Sequence, residues 1–155
     1  MNVEIPGFGN LNLDCIVLDF TGTLSVNGTL IPGVENRLKH LAKSFTIHVL
    51  TADTFGKAAQ ALQELPVDLT IMTESPEDRF KESFVECIGA SRVAALGNGN
   101  NDRLMLKKAG LGIAVMEGEG CSSQALMHAD LVVRSIGEGL DLLTQPLRIR
   151  AGLRF

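Results

Sequence analysis

Four short polar clusters carry the residue types needed to move a charged group. The first is Asp19-Phe20-Thr21-Gly22-Thr23-Leu24, which follows the apolar, β-branched run Cys15-Ile16-Val17-Leu18. That run reads as a buried parallel strand, and its exit is the sheet edge where open α/β folds place their ligands. Gly22 is free to take positive φ in the turn after it, and unpaired N–H groups in such a turn make a phosphate-sized nest. An aspartate facing that nest suits in-line attack on phosphorus to give an acyl phosphate. Taken alone, Asp19 capping a turn is the simpler explanation. The other clusters are Thr51, after the run Phe45–Leu50; Lys81, in a helix opening at Pro76; and Asn98 with Asp102, after the strand Arg92–Leu96. In order they supply a nucleophile, a hydroxyl, a cation and an amide–carboxylate pair able to hold a metal. Phosphoryl transfer needs such a set, because positioning and charge neutralisation do most of its work. Each has a plainer explanation too. Thr51 serves equally as a helix N-cap, Lys81 as a solvated charge paired with Glu77, and Asp102 as a first-turn carboxylate favoured by the helix dipole. Asp53 and Thr54 read as turn and cap residues.

The elements that must position these residues alternate along the chain. A small β-hairpin is expected over Asn2–Leu13, and the strand ending at Asp19 is followed by a second tight hairpin with Asn27-Gly28 at its tip. Helices are expected at Val34–Ser44, Phe55–Leu65, Pro76–Ile88, after Asp102 to Ala109, Ser122–His128 and Ile136–Leu143, with strands at 45–50, 67–72, 92–96, 112–116 and 131–133 between them. Arg148, Arg150 and Arg154 read as a basic tail. Strands alternating with helices predict one doubly wound, three-layer, Rossmann-like α/β domain over residues 1–155, with a parallel sheet. A composition of 45% hydrophobic and 21% charged residues in 155 is ordinary for a soluble globular domain. The net charge of −4 gives no support to nucleic-acid or anionic-membrane binding. No apolar run approaches the roughly 18 residues that span a bilayer, and Met1-Asn2-Val3-Glu4 lacks a signal-peptide pattern. Cys15, Cys87 and Cys121 are scattered without CxxC spacing, so free thiols in a cytoplasmic protein are expected, without zinc or redox chemistry.

In motif order and over nearly the whole chain, these residues resemble the haloacid dehalogenase superfamily. In detail they are most similar to the phosphorylation domain of P-type ATPases, here in a stand-alone form. That family's Asp-Lys-Thr-Gly-Thr-Leu is matched by Asp19-Phe20-Thr21-Gly22-Thr23-Leu24, its lysine motif by Lys81-Glu82-Ser83-Phe84-Val85-Glu86-Cys87-Ile88, and its Gly-Asp-Gly-x-Asn-Asp by Gly97-Asn98-Gly99-Asn100-Asn101-Asp102. The resemblance implies that Asp19 becomes an aspartyl phosphate and also ligates Mg²⁺. It implies that Thr21 offers its carbonyl to the metal, that Asn98 and Asp102 complete the metal's oxygen shell, and that Lys81 neutralises phosphate and nucleophile. Thr51, Thr23 and Gly22 are the expected phosphate contacts.

Two departures matter. Thr21 stands where the superfamily's phosphatases carry a general acid/base aspartate, whose help is typically worth 10²–10⁴-fold; the acyl phosphate is therefore expected to be long-lived. Asn98 stands where the family has a metal-binding aspartate, which lowers the expected Mg²⁺ affinity. The intervals 24–51 and 51–81 hold only a hairpin, two helices and a strand, so no cap domain is expected. A capless member of the family either meets a macromolecular phosphate or borrows a neighbouring subunit of a homo-oligomer as its lid. Two functions follow: a slow Mg²⁺-dependent phosphohydrolase or phosphotransferase, or a phosphate-site binding or regulatory module with little turnover.

Overall fold

The computed structural model describes residues 1–73 and 75–155. The chain begins with an antiparallel hairpin, β1 (Asn2–Ile5) and β2 (Gly9–Asn12), and then enters the central strand β3 (Cys15–Asp19). A two-residue-stranded hairpin, β4 (Ser25–Val26) and β5 (Thr29–Leu30), precedes helix α1 (Val34–Leu41). There follow β6 (Thr46–Thr51), α2 (Ala58–Leu62), β7 (Asp68–Ile71), α3 (Glu77–Cys87), β8 (Val93–Gly97), α4 (Arg103–Lys108), β9 (Leu111–Val115), α5 (Ser123–His128), β10 (Leu131–Val133), α6 (Ile136–Leu142) and α7 (Pro146–Leu153). Six strands form one sheet in the order β10-β9-β8-β3-β6-β7, every neighbouring pair parallel. The chain leaves β3 toward β6 and β7, then crosses back to β8 and onward to β10. The switch point lies between the carboxyl ends of β3 and β8, where such sheets open a crevice.

The expected three layers are present, and the period-two alternation of the strands builds them. Ile16 and Leu18 of β3, Ala94 and Leu96 of β8, and Ile47 and Val49 of β6 face the core shared with α1, α2, α6 and α7. Cys15 and Val17, Val93 and Ala95, and Leu50 face the other way, onto Val85 of α3, Met105 and Leu106 of α4 and Ala125 of α5. All five residues of β3 are buried, as a strand covered on both faces requires. Across the first face, Arg37 of α1 holds Asp141 of α6 in a two-pronged ion pair, Nε–Oδ1 2.8 Å and Nη2–Oδ2 3.0 Å. Between β3 and β6 stand only the β4–β5 hairpin and α1, and between β6 and β7 only α2, so no cap is inserted among the described residues.

The outline differs from expectation at its ends. The basic stretch is a helix rather than a tail: Pro146 sits in the first turn of α7, Ile149 is buried, and the arginines face solvent. One apolar side chain per turn was enough to dock it on β1. Helix α2 is shorter than the apolar pattern suggested, because Asp53 caps it late: Asp53 Oδ1 accepts from Lys57 N at 2.9 Å and Ala58 N at 3.0 Å. Close helix–sheet contact also fixes particular glycines. A Cβ on Gly112 of β9 would lie 2.2 Å from the Leu106 carbonyl oxygen, whereas one on Gly118 would touch only Val26, at 3.4 Å. Gly112→Ala should therefore lower the urea unfolding free energy by about 1–3 kcal/mol, as overpacking does. Gly118→Ala should stay within about 0.5 kcal/mol of wild type.

Candidate active site

Asp19 is the last residue of β3, and the chain turns immediately after it. Phe20 O gathers the turn by accepting from Leu24 N and Ser25 N, both at 3.0 Å, and from Ser25 Oγ at 3.1 Å. Gly22 takes φ 78°, which only glycine adopts without strain. A Cβ there would also stand 2.4 Å from Asn98 Nδ2, so the same glycine lets β3's turn touch β8's. Thr51 ends β6, the strand hydrogen-bonded to β3 on one side, and Asn98 follows β8 on the other.

Lys81 comes from α3, whose buried stripe is Asp78, Lys81 and Val85. Its ammonium is fully buried and lies between two carboxylates, 2.7 Å from Asp19 Oδ1 and 2.6 Å from Asp102 Oδ1. The surface pairing with Glu77 is not what forms: Glu77 Oε2 accepts from Asn101 Nδ2 at 2.6 Å. Asp102, also fully buried, accepts at Oδ2 from Asn98 N (3.0 Å) and Gly99 N (2.8 Å). Gly97 makes room for it, since a Cβ there would lie 2.5 Å from the Asp102 carboxyl carbon. Both oxygens of Asp102 are thus committed to protein donors. The carboxylate expected to ligate a metal is enclosed here, where it holds Lys81 and shapes the loop after β8.

The residues expected to contact phosphate are engaged within the protein. Gly22 N donates to Ser25 O at 2.9 Å and Thr23 N to Phe20 O at 3.3 Å, so neither amide is left over for a ligand. The Thr23 hydroxyl, fully buried, donates to Asn98 Oδ1 at 3.1 Å. Thr23 and Gly22 thus hold Asn98 in place. The amides without a backbone acceptor among the described residues are those of Phe20 and Thr21, the first two beyond Asp19. Residue type could not reveal them, because backbone N–H groups are common to nearly every residue and only the turn's hydrogen-bond pattern selects them. Thr51 is 1% exposed; its Oγ1 accepts from Asp53 N at 2.9 Å, and its own proton stays free to donate toward the site. Two further contributors had no signature. Gly120 O accepts from Asn98 Nδ2 at 2.9 Å, and Ser122 N donates to Asn98 O at 2.8 Å.

A divalent cation fits what remains. The Thr21 carbonyl takes no hydrogen bond from the described residues, Asp19 meets only Lys81 and the Thr23 hydroxyl, and Asn98 Oδ1 is engaged only by Thr23. Those are hard oxygen donors of the kind Mg²⁺ uses, though no three His, Cys, Asp or Glu side chains converge as a metal cluster among the described residues. The Thr21 hydroxyl oxygen is buried without a partner, the one such side-chain atom among the described residues. Charge argues the same way. Two buried carboxylates share one ammonium, an excess of negative charge. Burial, then the neighbouring Asp102 carboxylate, raise the Asp19 acid to about 7 against the opposing pull of Lys81. For Lys81, burial alone would lower its pKa; Asp102 and Asp19 more than offset that and lift it above the ordinary lysine value.

A carboxyl held above its unfolded value binds a proton in the folded protein that the unfolded chain releases. It contributes stability at acid pH that is lost as the pH rises through about 7. Metal-free protein should accordingly lose urea resistance between pH 5 and pH 8. Asp19→Asn should flatten that loss, and an unchanged slope in the variant would place the titration elsewhere.

The comparisons with known proteins agree with this architecture. The family model of the haloacid dehalogenase-like hydrolases matches residues 85–138. An uncharacterised protein of Methanocaldococcus jannaschii is 46% identical over 63 residues, covering 41% of this chain and 68% of that protein. The ATP-binding subunit of a potassium-transporting ATPase from Caldanaerobacter subterraneus subsp. tengcongensis is 29% identical over 129 residues, covering 79% of this chain; the chain spans only 19% of that subunit's length. Among solved structures, the cobalt-bound deoxy-D-mannose-octulosonate 8-phosphate phosphatase of Haemophilus influenzae superposes with a TM-score of 0.72 at 16% identity, covering 87% of this chain and 89% of its own. The shared sheet, the order of the motifs along it and these matches lead to one conclusion: the chain belongs to the haloacid dehalogenase-like hydrolases.

Proposed function

We propose that the protein is a Mg²⁺-dependent phosphohydrolase or phosphotransferase that works through an aspartyl phosphate on Asp19. The observation that carries this reading is the pairing of Asp19 Oδ1 with the buried Lys81 ammonium while Oδ2 has no charged partner. One oxygen is anchored and the other is left to react. In the step we infer, Asp19 Oδ2 forms a bond to phosphorus as the donor's P–O bond breaks, and the electron pair leaves with the departing oxygen. The unpaired amides of Phe20 and Thr21, the Thr51 hydroxyl and Lys81 would meet the phosphoryl oxygens, as preorganised donors do at a charge-gaining centre. Asp19, the Thr21 carbonyl and Asn98 would hold the cation, which would supply charge neutralisation and favour the ionised nucleophile. Mg²⁺ suits an all-oxygen donor set, and the Haemophilus influenzae phosphatase was solved with a divalent metal, cobalt, bound.

The Thr21 hydroxyl is too weak an acid to protonate a leaving group at neutral pH. Donors whose leaving group departs as a stable anion are therefore favoured, acyl phosphates above alkyl phosphates, and water is not activated for the second half of the reaction. The same feature favours a second reading, in which the fold holds phosphate on or near Asp19 as a regulatory or binding module and seldom turns over. With no cap to enclose a small substrate, we take the partner to be a phosphorylated molecule whose bulk stays outside the site; a second copy of the chain acting as cover is the alternative.

Intact-protein mass spectrometry after mixing with Mg²⁺ and acetyl phosphate tests the reading. Wild type should gain one phosphate and Asp19→Asn none. Thr21→Asp should shorten the adduct's lifetime by roughly 10²–10⁴-fold, the usual weight of a general acid/base. Neither adduct nor phosphate release from wild type would leave the binding module as the surviving function.

A further inference from the structure

The catalytic candidates are almost sealed from water: Asp19 is 4% exposed, Asn98 9%, and Lys81 and Asp102 not at all. The β4–β5 hairpin follows directly on the Asp19 turn, to which Ser25 is joined by a backbone bridge with Thr21. At its tip, Asn27 has positive φ, 52°, and both of its backbone polar groups are taken by side chains from outside the hairpin. Glu119 Oε1 accepts from Asn27 N at 2.7 Å, and Lys57 Nζ donates to Asn27 O at 3.3 Å. Lys57 lies in the segment after β6 and Glu119 in the segment after β9. Between β6 and β9 in the sheet stand β3 and β8, the strands that deliver Asp19 and Asn98. The tip is therefore pinned from both sides across the switch-point crevice.

The two pins lead back to the site. Lys57 N is held by Asp53 Oδ1, and Asp53 N by the Thr51 hydroxyl oxygen. Glu119 adjoins Gly120, whose carbonyl accepts from the Asn98 amide. A run of contacts thus passes from Thr51 through Asp53 and Lys57 to the hairpin tip, then through Glu119 and Gly120 to Asn98. Gly28 allows the tight fit: a Cβ there would lie 2.9 Å from Lys57 Cδ. The pins themselves are exposed, so each has the modest strength of a hydrogen bond in competition with water.

We propose that Lys57 and Glu119 are positioning residues that hold the β4–β5 hairpin down beside the Asp19 turn and thereby select the phosphate donors that reach Asp19, compact ones over bulky ones. This rests on the reading of Asp19 as the nucleophile. Neither residue touches the reacting atoms; both act through Asn27. A carboxylate on one side and an ammonium on the other grip the tip without adding net charge to the crevice.

The test compares wild type with Glu119→Ala, Lys57→Ala and Glu119→Gln, the last keeping an oxygen acceptor for Asn27 N. Two quantities are measured: backbone amide exchange over residues 25–30, and the ratio of Asp19 labelling rates with para-nitrophenyl phosphate and acetyl phosphate, both with Mg²⁺. The alanine variants should exchange about three- to tenfold faster over that segment, the weight of one such hydrogen bond, and the ratio should shift toward the aryl phosphate by a similar factor. Glu119→Gln should return both values toward wild type. Faster exchange with an unmoved ratio overturns the selection of donors, and unmoved exchange overturns the pinning. Absence of labelling in every protein, wild type included, overturns the reading of Asp19 instead. It is told apart from failure of the pins, in which wild type is labelled and the variants match it.

Discussion

A single buried ammonium set between two carboxylates is the constraint to which the rest of this structure answers. Lys81 reaches Asp19 on β3 and Asp102 beyond β8, so α3, β3 and the loop after β8 can be correctly packed only together. An ion so buried is costly to leave unmatched, and the two carboxylates overmatch it. Burial, and after it the neighbouring Asp102 charge, raise the pKa of Asp19. A well-satisfied structural ion pair would have no such surplus. Receipt of a cation and a phosphoryl group, as proposed for this site, would give that surplus a use.

The surrounding framework converts that charge arrangement into geometry. Asp102 is immobilised by two backbone amides of its own loop, and the absence of a side chain at Gly97 allows the carboxyl to tuck against the strand end. Asn98 is fixed through both ends of its amide, by Thr23 on one side and Gly120 on the other. Gly22 brings the Asp19 turn close enough for this to happen. Each contact joins loops that emerge from different strands, so the crevice is rigid because several neighbouring strand ends are tied to one another. Stiffness of this kind is what a positioning-dominated reaction requires.

The legible part of the protein was the part carried by side-chain type and period. The apolar strands, their alternation with helices and the polar residue at each carboxyl end all follow from patterns that water enforces on a covered sheet. Asp19, Thr51, Lys81 and Asn98 could be placed at one edge before any coordinates were known. Three features could not. The choice between the Gly22–Thr23 and Phe20–Thr21 amides depends on which N–H groups the turn consumes, a matter of backbone hydrogen bonding rather than composition. The burial of Lys81 was hidden because a lysine among Glu77, Asp78, Arg79 and Glu82 reads as part of a solvated face. Only the carboxylates across the sheet edge draw it inward. Helix α7 was masked by its arginines, although Pro146 and Ile149 are the residues that start and anchor it.

Thr21 and Asn98 gain meaning when taken together. Asn98 stands where the resembled family carries a carboxylate and Thr21 where the superfamily's phosphatases do, so each neutral group leaves less negative charge in a crevice that already has an excess. A carboxylate at position 98 would face the Gly120 carbonyl that now accepts from the Asn98 amide, turning an attraction into a repulsion. The loop after β9 is therefore built around an amide, and through Glu119 that same loop reaches the hairpin tip. At position 21 the hydroxyl oxygen is buried without a partner, close to the atom that would carry the phosphoryl group. An unsatisfied oxygen is tolerated where a ligand completes its hydrogen bonding, and a neutral one repels an incoming phosphate less than a carboxylate would. Both positions thus lower the negative charge around Asp19. On the proposed function, that favours the phosphorylated state of Asp19 over its hydrolysis, and rapid hydrolysis would depend on a group that the described residues do not place beside Thr21.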